Sequence, residues 1–188
     1  MLIGKYTCLR AVESTDLELL RDWRNIPEFR INFREHRELG LENQKKWFDK
    51  LSVSPNDYMF VILDKESQEP IGACGLLYTN WIIRSADFSF YIGKGKLYID
   101  DKYAKDAADL LIRYGFLDLN LNKIWMELYE YDLKKLDFFQ KEFRFQIDGK
   151  LRSNAFANGK YWDSYIISLL NSEILLRLAS CFPKTFES

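Results

Sequence analysis

Hydrophobic and polar positions along the chain follow two periods, and their alternation predicts the elements. Tyr6 to Val12 reads as a strand. Ser14 and Thr15 then offer hydroxyl caps to a helix in which Leu17, Leu19, Leu20 and Trp23 recur at helical spacing. A second amphipathic helix covers Leu41 to Leu51, with Gln44, Trp47, Phe48 and Leu51 on one face, and Pro55-Asn56-Asp57 breaks it. Three strands follow, Tyr58 to Leu63, Ile71 to Thr79 and Ala86 to Ile92. The turn formers Asp64-Lys65-Glu66-Ser67 and the segment from Asn80 to Ser85 separate them, as in an antiparallel meander. Asp101 to Phe116 holds Ala104, Ala107, Ala108, Leu111, Ile112 and Gly115 in helical register. Lys123 to Glu130 alternates as a strand, Asp132 to Glu142 reads as a helix, and strands near Phe143 to Ile147 and Tyr161 to Leu170 precede a short apolar helix. The order β-α-α-β-β-β-α-β-α-β-β predicts an α/β fold with a mixed, mostly antiparallel sheet of six to seven strands flanked by helices.

Composition narrows the class. At 188 residues, 47% hydrophobic and without an internal repeat, the chain predicts one domain over residues 1–170 and a short C-terminal helical extension over 171–188. The balance of 27 Lys+Arg against 28 Asp+Glu argues against a general nucleic-acid partner. No apolar run is long enough to span a membrane, and the start lacks the pattern of a signal peptide, so a cytoplasmic protein with no membrane partner is expected. Cys8, Cys74 and Cys181 are odd in number and far apart, which predicts buried, reduced thiols. The single histidine, His36, excludes a multi-histidine metal cluster, and no metal is expected.

Chemistry is carried by short stretches in a fixed order. They are Trp23-Arg24-Asn25 with Pro27-Glu28-Phe29-Arg30; Pro70-Ile71-Gly72; Ala86-Asp87-Phe88-Ser89-Phe90-Tyr91-Ile92-Gly93; Tyr114-Gly115-Phe116 with Leu119-Asn120-Leu121; and Asp148-Gly149 followed by Gly159-Lys160-Tyr161-Trp162-Asp163. In this order they resemble the GNAT family of acyl-CoA-dependent N-acetyltransferases, in the branch of ribosomal-protein and amino-sugar acetyltransferases, from Leu9 to Leu170. The resemblance implies a sheet whose fourth and fifth strands splay apart, with acetyl-CoA or another acyl-CoA as donor. Phe90, Tyr91 and Ile92 would lie along the pantetheine, and Lys102, Tyr103, Ala104 and Lys105 at the pyrophosphate, where helix N-terminal amides favour an anion. Asp132, Lys135, Phe138 and Phe139 would complete the donor side. The family's Gln/Arg-x-x-Gly-x-Gly/Ala loop reads here with Ile99, Lys102 and Ala104 at those positions, and with Asp100 and Asp101 between. Those acids either cap the helix or face the diphosphate.

Acetyl transfer to an amine requires a base, a donor to the developing oxyanion and a proton for the departing thiolate. The resemblance places Asp87 as the base, on the polar side of the alternation Ser85-Asp87-Ser89, with Glu127 and Glu130 as further carboxylates. The family's Asn and, seven residues later, its thiolate-protonating Tyr are Asp132 and Phe139 here, so Tyr131 or Tyr129 would have to substitute. Arg24, Arg34 and Arg37 are the substrate-binding candidates. Guanidinium forks suit an anionic acceptor such as a nucleotide-linked amino sugar, although such arginines can equally be solvated and paired with Glu28 and Glu35. The expected function is direct N-acetyl transfer to a primary amine of a small molecule, by a monomer or homodimer. The alternatives are a protein N-terminal acetyltransferase and a GNAT-shaped binding module without catalysis.

Overall fold

A computed structural model describes residues 1–174. Its centre is a single eight-stranded sheet in the order β1-β2-β3-β4-β5-β6-β8-β7. The strands are β1 (Leu2–Ile3), β2 (Thr7–Ala11), β3 (Tyr58–Asp64), β4 (Pro70–Asn80), β5 (Ser85–Ile92), β6 (Lys123–Tyr129), β7 (Gln146–Ala157) and β8 (Lys160–Leu170). Every neighbouring pair is antiparallel except β5 and β6, so the expected mixed, mostly antiparallel sheet is present. It has eight strands rather than six or seven, because Leu2–Ile3 adds a two-residue strand to the β2 edge. The strand expected near Phe143 to Ile147 begins at Gln146 and runs on to Ala157. The splayed fourth and fifth strands of the sequence reading are therefore β5 and β6.

β5 and β6 pair over three residues only, Ser85 with Lys123, Ala86 with Ile124 and Asp87 with Trp125. Beyond Asp87, β5 stays on β4 as far as Ile92, and β6 stays on β8 as far as Tyr129. The sheet thus opens a wedge whose apex is Asp87 and whose inner edge on β5 has no partner strand.

Helices α1 (Leu17–Asn25), α2 (Pro27–Arg30), α3 (Leu41–Val53), α4 (Tyr103–Arg113) and α5 (Leu133–Phe143) flank this sheet. α4 buries Ala104, Ala107, Ala108, Leu111 and Ile112, the face its periodicity marked out. Small residues there let the helix lie close to the strands. α1 buries Leu17, Leu20 and Trp23. Trp23 packs over Gly93, where an added Cβ would stand 2.1 Å from Trp23 Cδ2. Gly93→Ala is therefore expected to overpack this contact by about 1–3 kcal/mol. A thermal melt should fall by roughly 2–12 °C, and an unchanged melt would show that Trp23 yields freely.

Cys8 and Cys74 are buried free thiols, and burial pushes the Cys74 thiol well up. Cys181, and all but the start of the expected C-terminal extension, lie outside the described residues.

Candidate active site

Asp87 at the apex is 6% exposed. Seven of the strand's eight residues are buried, so the polar side formed by Ser85, Asp87 and Ser89 faces the protein's interior rather than bulk water. A buried carboxylate needs partners. Arg34, from the loop between α2 and α3, pairs with Asp87 and reaches Glu127 on β6 at 3.5 Å. Glu127 in turn accepts from Asn154 Nδ2 at 2.6 Å and Ser164 Oγ at 2.7 Å. Two of the candidate catalytic carboxylates and one candidate arginine thus form one cluster across the wedge. Burial raises the proton affinity of Asp87 and Glu127 adds to the effect, against the opposing charges of Arg34 and Lys135.

The third catalytic candidate stands elsewhere. Tyr131 Oη donates to the Ile31 carbonyl at 2.6 Å, and burial holds its hydroxyl far above the usual tyrosine range. It does not line the cavity described next.

A cavity of about 520 Å³ lies between the wedge and the α2–α3 loop, lined by Arg24, Arg34, Trp47, Asp87, Tyr129 and Lys135 among others. Six basic side chains border it, Lys46, Lys50 and Arg37 joining Arg24, Arg34 and Lys135, against the acids Glu35, Asp87 and Glu127. Arg37 Nε binds Glu35 at 2.9 Å, and that hydrogen-bonded pairing holds the Glu35 carboxyl at about 2. Arg24 lies with its guanidinium carbon 4.1 Å from the Phe33 ring centroid, and its Nε has no hydrogen-bond partner among the described residues.

On the donor side, backbone groups at alternate residues of β5 face the wedge. Ile92 exchanges both of its hydrogen bonds with Tyr98, which takes that end of the edge. The Phe90 carbonyl receives the Lys135 ammonium at 2.8 Å. Tyr91 is buried among Trp23, Phe29 and Phe33, and burial pushes its hydroxyl up to about 12. Phe138 and Phe139 are wall rather than surface, packed with Phe143 in the aromatic cluster under β5. Asp132 caps α5 and accepts from Tyr98 Oη at 2.5 Å. Tyr98 escaped the sequence reading, since nothing in the local pattern marks a buried tyrosine in the left-handed region at φ 58°.

At the start of α4, Asp100 accepts from the amides of Lys102, Tyr103 and Ala104 at 3.3, 3.0 and 2.7 Å. Of the two roles open to this acid, the structure places it as the cap. Lys105 pairs with Glu142, and Lys102 lies over the Tyr103 ring at 4.5 Å. Tyr103 Oη donates to Asp64 at 2.7 Å. The open edge at Phe88 and Phe90 fits an extended amide-bearing arm. The α4 amides, in contrast, already hold a carboxylate of the chain.

A family model described as Acetyltransferase (GNAT) domain matches residues 7–141. Over 168 residues the chain is 27% identical to an uncharacterized N-acetyltransferase p20 from Bacillus licheniformis, covering 88% of this chain and 93% of that one. It is likewise 27% identical over 173 residues to spermidine N(1)-acetyltransferase of Escherichia coli (strain K12), covering 89% and 87%. Its fold is similar to that of spermidine N-acetyltransferase from Vibrio cholerae solved with CoA and spermine. The TM-score is 0.83 at 25% identity, over 90% of this chain and 98% of that one.

Proposed function

The chain belongs to the GNAT acetyltransferase family, and from that premise we propose that it acetylates the primary amine of a small molecule that also carries negative charge. A nucleotide-linked amino sugar is the class with both features. The chain is an N-acetyltransferase with acetyl-CoA as donor; its acceptor is the part being proposed.

One observation carries the reading. All three acids at the cavity are already engaged, Glu35 by Arg37, Asp87 by Arg34, and Glu127 by Asn154 and Ser164, while Arg24 Nε has no hydrogen-bond partner among the described residues. A cavity with this surplus of cations attracts a phosphate and repels a polyamine. The spermidine enzymes among the relatives favour a second reading, a polyamine acceptor, in which Arg34 would have to withdraw to free Asp87 and Glu127. Thiol release with an amino-sugar nucleotide, with spermidine and with a peptide α-amine separates these readings. Turnover of the sugar nucleotide alone supports the proposal, and turnover of spermidine alone overturns it. Arg24→Ala is expected to raise the acceptor KM about 10- to 100-fold, as loss of a charged hydrogen bond should, with CoA affinity unchanged.

The chain's residues divide the work as follows. Asp87 takes the proton of the incoming ammonium. Arg34 fixes the orientation of that carboxylate, and Glu127 with burial keeps its proton affinity high enough for the task. The bound thioester supplies the acyl group. The wedge edge at Phe88 and Phe90 orients the donor against the cavity.

A further inference from the structure

Acyl transfer must take place where the donor edge meets the acceptor cavity, and one basic side chain borders both. Lys135 projects from α5, lines the cavity, and donates from Nζ to the Phe90 carbonyl on the unpaired edge of β5. It is 6% exposed. The charged and titratable groups that face it are Asp132 from its own helix, Asp87 from β5, Arg24 from α1, and Tyr98, whose ring centroid lies 5.4 Å from Nζ. An unpaired lysine would be costly here, so when an incoming amide takes the edge carbonyl the ammonium is left to seek a new acceptor on the donor itself.

The departing sulfur requires a proton, and three of the other donors near the wedge are committed. Tyr98 Oη serves Asp132, Tyr131 Oη serves Ile31, and Arg34 holds two carboxylates. Tyr129 also lines the cavity, but from β6 rather than from the β5 edge that Lys135 holds, and Phe139 offers no hydroxyl.

We propose that Lys135 protonates the thiolate. As the amine nitrogen bonds to the acyl carbon, the carbon–sulfur bond breaks and its electron pair stays on sulfur. One Nζ proton passes to that sulfur; the nitrogen, which Asp87 relieved of one proton before attack, gives its second to solvent, and the neutral lysine regains a proton from solvent before the next turnover. Burial holds the Lys135 ammonium below the ordinary lysine range, which makes it a readier proton donor than an exposed lysine. The proposal rests on the acyl-CoA donor and is independent of which acceptor is used.

The test compares the full-length protein with Lys135→Met, which preserves length and packing. CoA is bound to each, and its thiol is titrated through the ultraviolet absorbance of the thiolate. Wild type should hold the thiol at least tenfold more acidic than free CoA, and the variant should return it to the free value. Turnover should fall about 100-fold or more, with the alkaline limb of the kcat profile removed. An equal thiol titration in the two proteins overturns the proposal. So does a variant that binds CoA more tightly with kcat intact, which would make Lys135 a plug in the groove. If the variant fails to fold, the wild-type titration decides alone, and an unshifted thiol overturns the proposal. Failure of wild type to bind CoA overturns the donor premise itself and the proposal with it.

Discussion

Replacing Asp87 with Asn is expected to lower kcat by about 100- to 10,000-fold, the range in which a positioned general base contributes. Asn matches the shape of Asp and keeps a hydrogen-bond acceptor for Arg34, so the apex of the wedge should stay intact. What is lost is the ability to take a proton. The pH profile gives the sharper reading. Burial raises the Asp87 carboxyl above its ordinary value, and a base works only when deprotonated. Activity should therefore fall as pH drops through that raised value, earlier than an exposed aspartate would allow. In Asp87→Asn this acid limb should vanish. An unchanged rate and limb would move the base to Glu127, which shares Arg34 with it.

The largest effect on stability is expected from Phe139→Ala. Phe139 is fully buried, with ring centroids of Phe138, Phe88 and Phe145 at 5.1, 5.3 and 5.3 Å. Truncating a ring in such a position costs about 3–5 kcal/mol, from lost transfer energy and the void left behind. For a domain of this size that is a melt lower by roughly 6–20 °C. The same rings fasten α5 under β5 and so set the width of the wedge, so CoA affinity should fall together with stability. Phe139→Tyr provides the control. Its hydroxyl would enter a cluster of rings, at a cost of about 1–3 kcal/mol if it finds no partner, and turnover should not rise. A faster Phe139→Tyr enzyme would mean that the position faces the reacting sulfur instead.

The fold was legible wherever one face of an element is buried and the other wet. α4 shows this best, because Ala104, Ala107, Ala108, Leu111 and Ile112 repeat at helical spacing and all are buried. β7 shows the opposite. It is an edge strand whose residues are mostly exposed, only Ala155 and Ala157 being buried, so no alternation announces it. β1 is two residues long and exists only through its pairing with Leu9 and Cys8. At the site, Asp87 and Glu127 could be marked as candidates one by one, but their common partner Arg34 lies 53 residues from Asp87 in the chain. Such a cluster is a product of tertiary packing and has no local signature. Lys135 is harder still to read: a lysine in the buried row of α5 beside Phe138 and Phe139 departs from the helical pattern itself.

The carboxylate of Asp100, seated on the first amides of α4, bears on which molecules the protein ignores in a crowded solution. A bare helix end would accept inorganic phosphate, sulfate or any nucleotide that diffused past. With its own acid in place, the chain repels small anions that bring nothing but charge, and yields only to a ligand whose remaining contacts outweigh the displaced cap. With Asp100 seated there, donor recognition is expected to depend on the arm in the wedge, and inorganic phosphate is expected to compete with it weakly.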